Sequence, residues 1–178
     1  MDAIEIKLSK NKILLLLAGS LMFVVLGICF IINPEEFVTS VYRYKASIFI
    51  VGTLSVIFFG ACAVYGIKKL FDNTSGLIIN QEGIIDNSNG TSIGLINWTD
   101  ILSIQTKQVA STKFLLVLVN DPDKYLNRAT GFKKKLLQAN MRYYGTPLSI
   151  TSSSLKCDFD DLEKIVRSSH EKFSNGKL

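Results

Sequence analysis

Two long runs without a charged residue dominate the hydropathy pattern: Ile13 to Ile32 (ILLLLAGSLMFVVLGICFII) and Ala46 to Ile67 (ASIFIVGTLSVIFFGACAVYGI). Each exceeds the roughly 18 apolar residues that separate a spanning helix from a buried core helix. As a helix rising about 1.5 Å per residue, each reaches across a hydrocarbon core of about 30 Å. The pattern therefore predicts a transmembrane hairpin over residues 13–67, with spans 13–32 and 46–67. Its link begins Asn33-Pro34-Glu35-Glu36, the signature of a short outer helix with a capping Asn, a first-turn Pro and acids near the positive helix end. Tyr42 and Tyr44 suit the aromatic belt at a membrane surface.

Ahead of the hairpin, residues 1–12 hold an alternating stretch, Ala3 to Leu8. Ile4, Ile6 and Leu8 fall on one side, Glu5 and Lys7 on the other. That is the period of a half-buried strand, and equally it is compatible with a mobile terminus before an anchor. Behind the hairpin, residues 72–178 form a separate domain that opens with short alternating strands. Leu77 to Asn80 and Gly83 to Asp86 flank Gln81-Glu82, and Asn89-Gly90 marks another turn. Ser92 to Asn97 leads into Trp98-Thr99-Asp100-Ile101, then strands over Ile101 to Val109 and Phe114 to Val119 follow. Five antiparallel strands at least are expected.

Asp121-Pro122-Asp123 opens a helical stretch to Tyr144. On a helical projection Tyr125, Ala129, Phe132, Leu136, Ala139 and Tyr143 share an apolar face, expected to pack on the sheet. Lys124, Arg128, Lys135 and Arg142 form a stripe beside it, provided the helix continues through Gly131. The stripe is a candidate lipid-binding or partner-binding site, or else a solvated helix face. Pro147 predicts an edge strand over Thr146 to Thr151, a further strand is expected near Leu155 to Cys157, and Asp158 caps a last amphipathic helix.

Charge sets orientation and partners. Lys7, Lys10, Lys12, Lys68 and Lys69 flank the spans on the side of the termini, against Arg43 and Lys45 in the link, so both termini are expected in the cytoplasm. The net charge of +5 is not gathered into a tail, which points to an anionic membrane surface rather than to nucleic acid. The basic start of the chain resembles a signal peptide, but the first run is too long and a second follows. Bulky Ile28 before Cys29 argues against a lipoprotein signal. Within the spans, Gly19 and Gly27 are placed to face Gly60 and Gly52 across an antiparallel hairpin, since small residues let helix backbones approach closely in lipid.

LINWTDI (Leu95 to Ile101), ASTKF (Ala110 to Phe114), LQAN with YYGTPLSI (Leu137 to Asn140, Tyr143 to Ile150) and LKCDFDDLEKI (Leu155 to Ile165) resemble segments of a family of small two-span bacterial membrane proteins of unassigned function. Those proteins carry a cytoplasmic pleckstrin-homology-like domain. The resemblance implies an α+β membrane protein: a transmembrane hairpin followed by a pleckstrin-homology-like antiparallel sheet or partial barrel, closed by a C-terminal helix and interrupted by a helical insertion. It implies no catalytic residues.

The residues themselves suggest none either. His170 is the lone histidine, near the end of the last helix, and Asp158, Asp160 and Asp161 sit where a helix start needs acids. Ser152-Ser153-Ser154 has no nucleophile elbow, and no glycine-rich phosphate loop is present. Cys29, Cys62 and Cys157 form no metal or disulfide pattern. The expectation is a non-enzymatic module without cofactor or metal, in a bacterial inner membrane, binding a protein segment or anionic lipid. The alternatives are an immunity or stress-response membrane protein, or a small subunit of a larger membrane complex.

Overall fold

The computed structural model describes residues 3–38 and 44–175. They form an α+β protein in two compact units, one of residues 10–72 and one joining the chain up to Ser9 with the chain from Asn73 onward. The hairpin is thus an insertion into the second unit.

In the helical unit, α1 (Lys10–Ile32) and α2 (Lys45–Phe71) are long and apolar enough to cross a membrane, and they pack on each other. On α1 the buried Ile13, Leu17, Ser20 and Gly27, with half-buried Val24 and Ile31, alternate in steps of four and three. That is a heptad seam, which keeps one narrow face toward a partner helix. On α2 the seam runs through Ile48, Gly52, Ser55, Phe59, Ala63 and Gly66. Phe23 stacks on Phe59 with centroids 4.4 Å apart, and the Ser55 hydroxyl donates to Phe23 O at 3.1 Å. Where α1 begins beside the end of α2, Lys10 Nζ donates to Leu70 O at 2.6 Å and to Asp72 O, placing a cation on the negative helix terminus. The link forms a short helix as expected, a four-residue 3-10 helix over Pro34–Phe37. Asn33 makes no side-chain cap, and Glu35 is paired instead with Lys45. Tyr42 and Arg43 lie outside the described residues.

The second unit holds two antiparallel sheets. One has the order β1-β2-β3-β4, formed by Ile4–Lys7, Ser75–Ile79, Gly83–Asp86 and Gly94–Asn97. The alternation in Ala3 to Leu8 does make an edge strand: Ile4 and Ile6 oppose Ile79 and Leu77, and Ile6 and Leu8 are buried. The other sheet has the order β5-β6-β7, formed by Ile101–Val109, Thr112–Val119 and Leu148–Ile150, with β7 on the edge after Pro147. The strand expected near Leu155 to Cys157 reduces to one bridge, Leu8 with Leu155. Beside it, Ser9 N donates to Ser154 O (2.7 Å) and Lys156 N donates to Lys7 O (2.9 Å), while Lys7 also pairs with Ser75 of β2.

α5 (Phe159–Asn175) starts from Asp158, whose carboxylate accepts from Asp161 N at 2.9 Å, and buries Leu162 and Val166 completely. It also guards the free edge of β5. Arg167 donates to Ile104 O at 2.7 Å and pairs with Glu163 at 2.8 Å, while the Thr106 hydroxyl donates to Glu163 at 2.6 Å. These two hydrogen bonds hold the Glu163 carboxyl below its ordinary pKa. An edge so covered offers fewer open backbone groups to a foreign strand. The helical stretch after Asn120 is broken into α3 (Pro122–Leu126) and α4 (Gly131–Tyr144).

Candidate interaction surface

The short turn Trp98–Asp100 leads from the first sheet to the second and sets two side chains. Trp98 is buried, donates Nε1–H to Asn80 O at 2.8 Å, and stacks on Phe173 at 5.4 Å with His170 beside it at 6.0 Å. His170 is therefore an aromatic neighbour in a packed cluster. Asp100 is buried at the start of β5 and accepts from Lys124 Nζ and from the Tyr125 hydroxyl, both at 2.6 Å. Burial alone pushes the Asp100 carboxyl up, but the hydrogen bonds from Lys124 and Tyr125 outweigh it and hold the pKa below the usual carboxylate value. Burial, and then the bond to Asp100, push the Tyr125 hydroxyl far above its ordinary pKa.

Arg128 lies over the Tyr125 ring at 4.5 Å and donates to Leu95 O. Lys124 and Arg128 thus fasten α3 and the turn after it to the sheets. They do not form one stripe with Lys135 and Arg142, because Gly131 (φ +57°) ends the run and α4 starts on a new phase. All four are exposed, but Lys124 and Arg128 are engaged, whereas Lys135 and Arg142, two turns apart on α4, have no partner among the described residues.

The phase change also reverses the apolar face expected to pack on the sheet. Tyr125 and Ala129 are buried as expected. On α4 the residue that turns inward is Leu137, fully buried against Leu126, Ala129 and Ile93. Lys133 donates to Ser92 O and Asn140 to Pro147 O on that inner side. Phe132 (75 % exposed), Leu136 (37 %) and Tyr143 (76 %) point outward together with Ala139. α4 ends at Gly145, whose left-handed backbone (φ +74°) caps it through a bond from its N–H to Met141 O at 3.0 Å.

In the hairpin, Gly27 and Gly52 do meet: a Cβ added at Gly27 would lie 2.9 Å from Gly52 O, and one at Gly52 would lie 2.7 Å from Gly27 O. The pairing expected of Gly19 with Gly60 is corrected, since a Cβ at either would meet nothing within 4 Å. Eight residues at about 100° each turn a helix about 80° past its starting face, so Gly19 and Gly27 cannot share one seam.

Elsewhere, a shallow polar cleft lies between Lys113, Ser152, Ser153 and Phe159, with Lys113 ion-paired to Asp160 at 3.0 Å. Among the described residues no group of three or more His, Cys, Asp or Glu could hold a metal ion. No known protein family, curated protein or solved structure matches this chain. What it presents is surface: a hairpin with apolar outer faces, and a helix with an apolar outer ridge beside two free cations.

Proposed function

We propose that the chain is a membrane-anchored interaction module. In this reading the hairpin spans a bacterial inner membrane with both termini in the cytoplasm, and the α+β unit is a pleckstrin-homology-like domain that presents its surface to a protein segment or an anionic lipid. The observation that carries the reading is the exposure of the hairpin. Only 11 % of the most apolar window of α1 and 17 % of that of α2 is buried. Core helices of a water-soluble fold hide their apolar faces, whereas here Leu15, Leu16, Ile57 and Phe58 are each 60 % exposed or more, a surface suited to an apolar solvent. The lysines at positions 7, 10, 12, 68 and 69 support the orientation.

The test has two parts. The full chain should stay with membranes through an alkaline carbonate wash, and photo-cross-linkers on the soluble unit should give discrete adducts with lipid or protein in intact membranes. Release by carbonate would contradict the anchor. Retention without any adduct from the soluble unit would contradict the interaction role.

A further inference from the structure

The outward face of α4 is an amphipathic surface with its polar and apolar sides placed against the usual rule. At about 100° per residue, Phe132, Leu136, Ala139 and Tyr143 fall within about 60° of one another, with Lys135 and Arg142 about 40–60° further round. Leu137 alone anchors the opposite face as a fully buried apolar residue. A helix that packs with one side and shows water an aromatic ridge on the other needs a second apolar environment for that ridge. The charge around it has one sign: from Lys124 to Cys157 the chain contains no acidic residue, and α4 itself carries Lys133, Lys134, Lys135 and Arg142.

We propose that this face docks in the headgroup region of an anionic leaflet, as a peripheral contact added to the hairpin anchor. The proposal rests on the anchored reading, which supplies the bilayer. The soluble unit is joined to the hairpin by direct peptide bonds at Ser9 to Lys10 and at Asp72 to Asn73, so two tethers hold it close to a leaflet. Phe132, Leu136 and Tyr143 insert their apolar bodies at the acyl boundary, with the Tyr143 hydroxyl at the level of the headgroups. Lys135 and Arg142 meet lipid phosphates from the flank of the same ridge. The ridge is convex, one helix wide, and basic on its flank. Those features fit a fluid anionic surface, which conforms to a ridge.

The experiment uses the full chain in liposomes, with its cysteines replaced and a fluorophore placed on Ala139→Cys. Nitroxide carried by lipid near the headgroups should quench this label in vesicles containing phosphatidylglycerol. Quenching should fall as salt rises, and should be lost in the triple variant Phe132→Ser, Leu136→Ser, Tyr143→Ser. Lys135→Gln with Arg142→Gln should weaken docking by about fivefold for each charge. All these positions are exposed, so the substitutions leave the packed core alone. A parallel label on Leu15→Cys reports the hairpin through nitroxide on the acyl chains. Quenching at Leu15 with none at Ala139 overturns the proposal and leaves the anchor standing. No quenching at Leu15 overturns the anchored reading. Equal quenching at Ala139 in purely zwitterionic vesicles overturns the anionic leaflet as the partner. Cross-linking of Ala139→Cys to its own copy, without lipid quenching, overturns the proposal in favour of a dimer face.

Discussion

Replacing Gly27 or Gly52 with alanine should force the two hairpin helices apart. A Cβ at Gly27 would sit 2.9 Å from Gly52 O and 2.9 Å from Val56 Cγ2, and one at Gly52 would sit 2.7 Å from Gly27 O and 2.8 Å from Phe30 Cβ. Ordinary contact begins at 3.4 Å, so the helices must separate by about 0.5 Å (3.4 minus 2.9) to 0.7 Å (3.4 minus 2.7). Two of the blocking atoms are backbone carbonyl oxygens, which cannot rotate away as a side chain could. Overpacking of this kind costs about 1–3 kcal/mol. Separation would also loosen the Phe23–Phe59 stack and the bond from Ser55 to Phe23 O, which lie farther along the same seam. Gly19→Ala and Gly60→Ala meet open space and should stay within about 0.5 kcal/mol of the parent. Reversible unfolding of the full chain in bicelles, followed by energy transfer between labels on the two helices, measures all four variants. Loss of stability at Gly19 or Gly60 equal to that at Gly27 and Gly52 would refute the seam.

The Asp100 cluster gives a second set of expectations, read through the fluorescence of Trp98, the chain's single tryptophan. Tyr125→Phe removes a buried donor to Asp100 and should cost about 1–3 kcal/mol in denaturant unfolding; a change near zero would mean that Asp100 is satisfied without it. Because the folded state holds the Asp100 pKa below the usual value of 3.8, its contribution is complete above that pH and disappears as pH falls through the folded value. Asp100→Asn should accordingly flatten the acid limb of the stability profile, and an unchanged limb would contradict the assignment. Tyr125 has its pKa raised above the usual 10.0, so its share is complete below about pH 10 and declines as pH rises beyond it. The amides of β1 that bond to β2 should exchange slowly in the full chain, and exchange at the free-peptide rate throughout Ala3 to Leu8 would contradict the edge strand.

Features set by local chemistry were legible in the sequence. The charge-free runs gave two long helices, Gly83 to Asp86 gave a strand, and Asp121 and Asp158 were readable as helix caps; both now accept from the backbone three residues on. Phase was not legible in the same way. The seam of α1 follows steps of four and three, while the glycines at matching depths are eight apart, so depth matched without direction. Gly131 was visible as a break, yet its left-handed backbone also resets which side of α4 faces inward, and that depends on the packing of Leu137 against Leu126 and Ala129. Lys124 and Arg128 read as surface charge because Asp100 and the Tyr125 ring, their partners, lie far off or on an unpredictable side in the sequence. Asp100 carried one signal that could have been used, as an acid inside an otherwise apolar strand start needs a donor.

Thiol accessibility in intact cells tests the anchored arrangement most directly. In a chain otherwise free of cysteine, Glu36→Cys places a thiol in the link between the helices and Lys164→Cys places one on the exposed side of α5. A membrane-impermeant maleimide should label position 36 in intact cells and position 164 only after lysis. Labelling of position 164 in intact cells with position 36 protected would reverse the orientation, and equal labelling of both before lysis would contradict a hairpin that crosses the membrane.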